Sequence, residues 1–190
     1  LTHLMFLGSY PIELGAITVK GSILRGFLTA VGQETPTATS DLALKSLTVG
    51  GRIENTVILL GFDQDAQAQS ADAQVGAVTV KGDWIASNLI AGVNPFDGMV
   101  GDANDSKSAD PGNPNFRDTG VTSKIARIVI GGQVRSGFGA SDVNGFGAEE
   151  IGAFKSNGIA LALTAGRNND TFALGKARPV GASLSTTNAD

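Results

Sequence analysis

The chain contains no cysteine and a single histidine, His3. Disulfides, thiolate nucleophiles and cysteine metal sites are therefore excluded. A Ser-His-Asp triad would have to recruit His3, which sits near the N-terminus among apolar residues. Aromatic residues are 6% of the 190 positions, so the core must be aliphatic and thin. Basic side chains are in the minority, 14 Lys and Arg against 18 Asp and Glu, for a net charge of −4. That leaves no basic patch to displace counterions, so neither nucleic acid nor an anionic membrane surface is expected as a partner. No apolar run reaches the roughly 18 residues of a membrane helix, and no membrane insertion is expected. The absence of cysteine fits the cytosol and a bacterial exterior alike. The chain begins at Leu1 rather than Met, and the expectation is a processed product or a fragment that has lost a signal peptide.

What the chain does have is glycine, 26 of 190 against a usual level of about 7%, and one phrase said several times. Its clearest copy is Val78-Thr79-Val80-Lys81-Gly82-Asp83-Trp84-Ile85. Ile17-Thr18-Val19-Lys20-Gly21-Ser22-Ile23-Leu24 and Leu47-Thr48-Val49-Gly50-Gly51-Arg52-Ile53-Glu54 match it, and Ile128-Val129-Ile130-Gly131-Gly132-Gln133-Val134-Arg135 is a fainter copy. The form is apolar-x-apolar-x-Gly-x-apolar. Alternation puts every second side chain on one face, the period of a half-buried strand, and β-branched residues suit a pleated surface. The glycine ends the strand and a second short strand follows.

Gly21 to Gly51 is 30 residues and Gly51 to Gly82 is 31. A period of this size marks a stacked array. With one strand-turn-strand phrase per period and no helical pattern between, the expectation is all-β: a right-handed parallel β-helix, a β-solenoid, of about five coils. An ordinary β-sandwich or barrel with similar strands is the alternative. The solenoid domain would span 1–175, with a long insertion at 94–123 and a polar, unpatterned tail at 176–190. Val19, Ile23, Val49, Ile53, Val80, Trp84, Ile130 and Val134 occupy equivalent places and should stack as two internal ladders.

The polar loops at 33–41, 63–74, 94–123, 141–147 and 166–171 all leave the phrase at the same place, so they should form one edge. That edge is acidic, and its only bases are Lys107, Arg117 and Arg167. Its plainest reading is a set of solvated loops. Its most suggestive stretch runs from Asp97 to Asp110, where short-spaced Asp, Asn and Ser offer hard oxygen ligands for Ca²⁺. The candidate metal ligands are Asp97, Asp102, Asn104, Asp105 and Asp110. Asp102, Asn104, Ser106 and Asp110 match positions 1, 3, 5 and 9 of an EF-hand-like loop, but Lys107 replaces its glycine and Asn113 its bidentate acid. Gly166-Arg167-Asn168-Asn169-Asp170-Thr171-Phe172 matches one turn of a calcium-binding nonapeptide only at the glycine, the aspartate and the large apolar residue. Arg25, Arg52 and Arg135 recur near the same part of the phrase and could line an outer face. No catalytic residue is assigned. Glu149-Glu150 reads as a pair at the edge of a repeat rather than an acid/base dyad.

The Val-Thr-Val-Lys-Gly and Leu-Thr-Val-Gly-Gly phrases, over residues 15–175, resemble the repeat regions of large secreted bacterial surface proteins, such as β-helical adhesins and extracellular filament proteins. The resemblance is one of repeat style, and no functional residue carries over. It implies a non-enzymatic structural or adhesive module outside a bacterial cell, self-associating end to end or forming part of a longer surface protein. The alternative is a β-helix that binds or cleaves carbohydrate with Asp residues and Ca²⁺.

Overall fold

A computed structural model describes residues 5–6, 12–95, 100, 105–110, 112–136, 144–174 and 182–186. The chain is all-β there, and none of the described residues forms a helix. Three main sheets carry the repeated phrase. In a long-strand sheet, β2 (Leu14–Val19), β5 (Asp41–Val49), β8 (Ala73–Val80) and β13 (Lys124–Ile130) lie side by side and parallel. A short-strand sheet follows the glycine turn with β3 (Ile23–Leu24), β6 (Ile53–Glu54), β9 (Trp84–Ile85) and β14 (Val134–Arg135). A third sheet holds β1 (Met5–Phe6), β4 (Phe27–Ala30), β7 (Val57–Leu60), β10 (Asn88–Ala91) and β15 (Gly145–Ala148).

Residues one period apart pair directly. Val19 faces Val49, Val49 faces Val80, and Val80 faces Ile130. After the glycines, Ile23, Ile53, Trp84 and Val134 form the second ladder. Successive periods come close at the glycine turn. Gly51 N–H donates to Gly21 O at 2.8 Å and Gly82 N–H to Gly51 O at 2.9 Å. A Cβ on Gly50 would stand 2.1 Å from Lys20 O, a backbone collision that only glycine avoids. Beyond the short strands, hydroxyls tie the next corner: Gly26 N–H donates to Thr56 Oγ1 at 3.1 Å, and Thr56 N–H to Ser87 Oγ at 3.0 Å.

The core lies between the three sheets. Leu44, Leu47, Val49, Ile53, Leu60, Val78, Val80, Trp84, Leu89 and Ile125 are fully buried. Three of the few aromatics meet in the core. The Trp84 and Phe146 ring centroids are 4.6 Å apart, and Phe146 meets Phe154 edge-on at 5.3 Å, a geometry the ring quadrupoles favour.

The expectation of a right-handed parallel β-helix of about five coils is corrected here. The sheets are mixed. β17 (Phe154–Ser156) continues the long-strand sheet, but β18 (Ile159–Ala160) folds back on it antiparallel. In the third sheet, β20 (Ala182–Thr186) pairs parallel with β15, and β19 (Thr171–Leu174) pairs antiparallel with β20. β11 (Val93–Asn94) and β12 (Ser106–Lys107) make a separate antiparallel pair, and β16 (Glu150–Ile151) adds to β13. The physical reason is local. The last copy of the phrase ends at Arg135, and the later chain uses reversing turns. Asn157 (φ 47°) and Gly158 (φ 80°) form a two-residue turn of the left-handed kind that closes hairpins. β20 also lies within 176–190, the stretch that reads from sequence as an unpatterned tail.

Candidate functional site

The acidic edge is not a row of wet loops. It begins where the third sheet hands over to the long-strand sheet, and several of its acids turn inward while Glu34, Asp65 and Asp118 stay exposed. Asp41 is 1% exposed, Asp72 2% and Glu149 1%. A buried carboxylate needs a partner, and the three bases of these loops supply them. Arg117 Nη2 lies 3.1 Å from Asp41 Oδ2. Lys107 Nζ lies 2.6 Å from Asp118, 3.5 Å from Asp72 and 4.0 Å from Glu149. Arg167 Nη1 approaches Glu149 at 3.7 Å.

Hydrogen bonds join these pairs into one column. Gln33 N–H donates to Asp41 Oδ1 at 2.7 Å, and Ser70 Oγ donates to Asp41 Oδ2 at 2.8 Å. Asp72 N–H donates back to Ser70 Oγ at 3.2 Å. Thr119 donates twice to Asp72 Oδ2, from its N–H at 2.7 Å and its hydroxyl at 2.8 Å. Ser123 N–H donates to Glu149 Oε2 at 2.7 Å, and Glu149 N–H donates to Ser123 Oγ at 3.1 Å. Arg117 also donates to Gln33 O. Gly32, at φ 133°, makes room: a Cβ there would meet Asp41 Oδ1 at 2.4 Å and Arg117 Nη2 at 2.9 Å.

Burial is the largest influence on Asp41 and raises its pKa, although the Ser70 hydroxyl and the Arg117 charge pull it down. The Lys107 hydrogen bond dominates at Asp118 and lowers its pKa against the opposing effect of burial. Burial by itself would lower Lys107, but the Asp118 hydrogen bond and the charges of Glu149, Asp118 and Asp72 outweigh it, so its pKa is raised. Lys107 is thus held charged, which suits a clamp and not a nucleophile. A perturbed carboxylate often marks an active site, but Asp41 is sealed from solvent. The column's chemistry is to neutralise buried charge and to fasten 105–123 and 167 onto the repeats.

The candidate calcium ligands are not assembled into a described centre. Asp97, Asp102 and Asn104 lie outside the described residues. Asp105 is buried at 4% exposure. Asp110 accepts from Gly112 N–H at 3.1 Å, its own turn. Among the described residues, no group of three or more His, Cys, Asp or Glu is placed to hold a metal ion. In the 166–172 stretch, Asp170 Oδ2 accepts from Thr164 N–H at 2.8 Å and is spent on the turn.

The three arginines of the phrase do not line up either. Arg52 follows Gly51 and bonds Glu54 at 2.7 Å. Arg135 stands in register with Glu54 and Ile85, and is 3.7 Å from Asp83. Arg25 occupies the following corner at φ 55°. Leu24, Arg25, Arg52, Glu54 and Asn55 line a shallow open depression on the outside of the short-strand sheet. Glu150 pairs with Lys124 at 2.7 Å, so the Glu149-Glu150 dipeptide divides into a buried and a half-buried acid with separate cations. The signal that pointed to the column was available in the sequence: three bases alone among many loop acids. No family model, curated protein or solved structure matches the chain.

Proposed function

We propose that the chain is a non-enzymatic structural or adhesive module, working outside a bacterial cell by self-association or as part of a longer surface protein. One observation carries this reading. Apolar side chains at the two outer strands of the long-strand sheet stay half-buried: Leu14, Ile17 and Val19 on β2, and Leu161 and Leu163 just after β18. Strand edges with apolar flanks are templates for pairing with another chain. The buried carboxylates of Asp41, Asp72 and Glu149, by contrast, are spent on Arg117, Lys107 and Arg167. The assignment to a cell exterior rests on the repeat style alone. Light scattering and electron microscopy of the purified chain test the reading. A molar mass that grows with concentration, or filaments, is expected; a monomer across the micromolar to millimolar range overturns it.

Carbohydrate binding is a second reading, favoured by the depression at Leu24, Arg25, Arg52, Glu54 and Asn55. A guanidinium, a carboxylate and an amide together suit hydroxyl-rich ligands. Titration with neutral and acidic oligosaccharides, comparing the wild type with Arg25→Ala, decides it. Binding that Arg25→Ala leaves unchanged would place any such site elsewhere.

A further inference from the structure

Among the described residues, two large apolar side chains are exposed, Ile12 at 43% and Ile159 at 68%. They stand at opposite edges of one sheet. Ile12 leads into β2, whose strand partner among the described residues is β5 alone. Ile159 begins β18, whose strand partner among the described residues is β17 alone. Ala16 and Thr18 on β2, and Ala160 and Ala162 after Ile159, are exposed beside them. Residues 156–165 carry no charged side chain, and Glu13 at the other edge is engaged by Gln33 Nε2 at 3.2 Å. Natural edge strands are protected by lysine, proline or inward charge. Within β2, between Glu13 and Lys20, and within β18, the described edges carry no such residue.

We propose that the β18 edge of one copy pairs with the β2 edge of the next, so that the long-strand sheet runs on from copy to copy. This rests on the self-association reading above and names its surface and its partner, a second copy of this chain. Direction supports the match. β2, β5, β8, β13 and β17 run parallel, and β18 alone is reversed. Two copies stacked in the same orientation would therefore join β18 to β2 as an antiparallel pair, the more stable ladder. The same contact brings Leu161 and Leu163 of one copy toward Leu14, Ile17 and Val19 of the next, closing the two half-covered ends of the core. Because the two surfaces differ, the contact is heterologous and does not close on itself.

Two variants test it, each with exposed positions only. Ala16→Lys/Thr18→Lys blocks the β2 edge, and Ile159→Lys/Ala160→Lys blocks the β18 edge. Circular dichroism first establishes that both keep the wild-type melting curve; Ala16→Glu/Thr18→Glu and Ile159→Glu/Ala160→Glu replace either one that does not. By light scattering, each variant alone should be monomeric, and an equimolar mixture should form a dimer that grows no further. If the wild type assembles but either blocked variant still does so, the proposal fails while the self-association reading stands. If one variant alone forms dimers, the contact joins like edges and the proposal fails. If the wild type itself stays monomeric, both fail.

Discussion

The apolar ladders and the polar column are two answers to the same problem of stacking one period on another. In the ladders, like meets like at a spacing of one period: Ile23, Ile53, Trp84 and Val134 each pack on the residue in the same place of the next repeat. In the column, the acids recur but their partners do not. Asp41 is neutralised by Arg117, 76 positions away, and Glu149 by Lys107 and Arg167. Apolar contact is non-directional, so a phrase copied along the chain stacks on itself. A buried charge repels its own copy, so acids at equivalent corners need partners from outside the phrase. The irregular loops are thus the part of the molecule that makes repetition of buried acids affordable.

The sharpest break in the ladders is Trp84→Ala. The side chain is fully buried, donates from Nε1 to Ser87 O at 2.8 Å and stacks on Phe146. Its truncation should cost about 3–5 kcal/mol, read by denaturant titration followed by circular dichroism. A loss below about 1 kcal/mol would mean that the ladder collapses freely into the gap.

Next is Arg117→Ala, which leaves the Asp41 carboxylate buried without its cation and should cost about 3 kcal/mol. The comparison predicts an asymmetry. Asp41→Asn combined with Arg117→Met removes both charges and should recover much of that loss, because no ion is left uncompensated. Losses in a ladder have no such rescue. A double variant as unstable as Arg117→Ala alone would show that the column holds by packing and not by charge balance.

A smaller effect is set by pH. Asp118 is lowered by Lys107, so its contribution is present above its ordinary value of about 4 and is lost as pH falls through the lowered value. Lys107 is raised, so its contribution is present below about pH 10.4 and is lost as pH rises through the raised value. Asp41 has the opposite sign from Asp118. Its raised pKa means that the folded state takes up the proton first, and stability gains as pH falls toward about 4. Melting curves between pH 3 and 7 should show Asp41→Asn removing this gain and Asp118→Asn removing the loss below it. At neutral pH, Asp118→Asn should cost less than about 1 kcal/mol, since the pair is half open to solvent.

The ladders were legible because period-two alternation and a fixed glycine spacing are written into consecutive residues. The parallel β-helix was not borne out, because nothing in the phrase records the reversals at Asn157-Gly158, β19 and β20. The acids of the edge were legible as residues but not as buried groups. Local sequence cannot tell a solvated aspartate from one such as Asp41, whose neutralising arginine arrives from a distant loop. Three lone bases among the loop acids were the one trace of that pairing.

The smallest effect concerns the corner after the short strands. Arg25 (φ 55°), Asn55 (φ 50°) and Ala86 (φ 45°) occupy the same register and the same left-handed conformation. Each is held there by its own N–H, donated to Glu54 O at 2.9 Å, Ile85 O at 3.0 Å and Arg135 O at 3.0 Å. A non-glycine residue in this region costs about 1–2 kcal/mol, least for asparagine, and glycine gives back about 0.5–1 kcal/mol in chain entropy. Asn55 is therefore the well-chosen residue of the three and Ala86 the poorly chosen one. Ala86→Gly and Ala86→Asn should each stabilise by about 0.5 kcal/mol, and Asn55→Ala should destabilise by a similar amount. Thermal melts of the three variants measure this directly. Stabilisation by glycine but not asparagine would assign the gain to freed space around Cβ rather than to the left-handed backbone. A loss in both would mean that the methyl group of Ala86 packs usefully against its neighbours, and that the corner is shaped by contact and not by conformational preference.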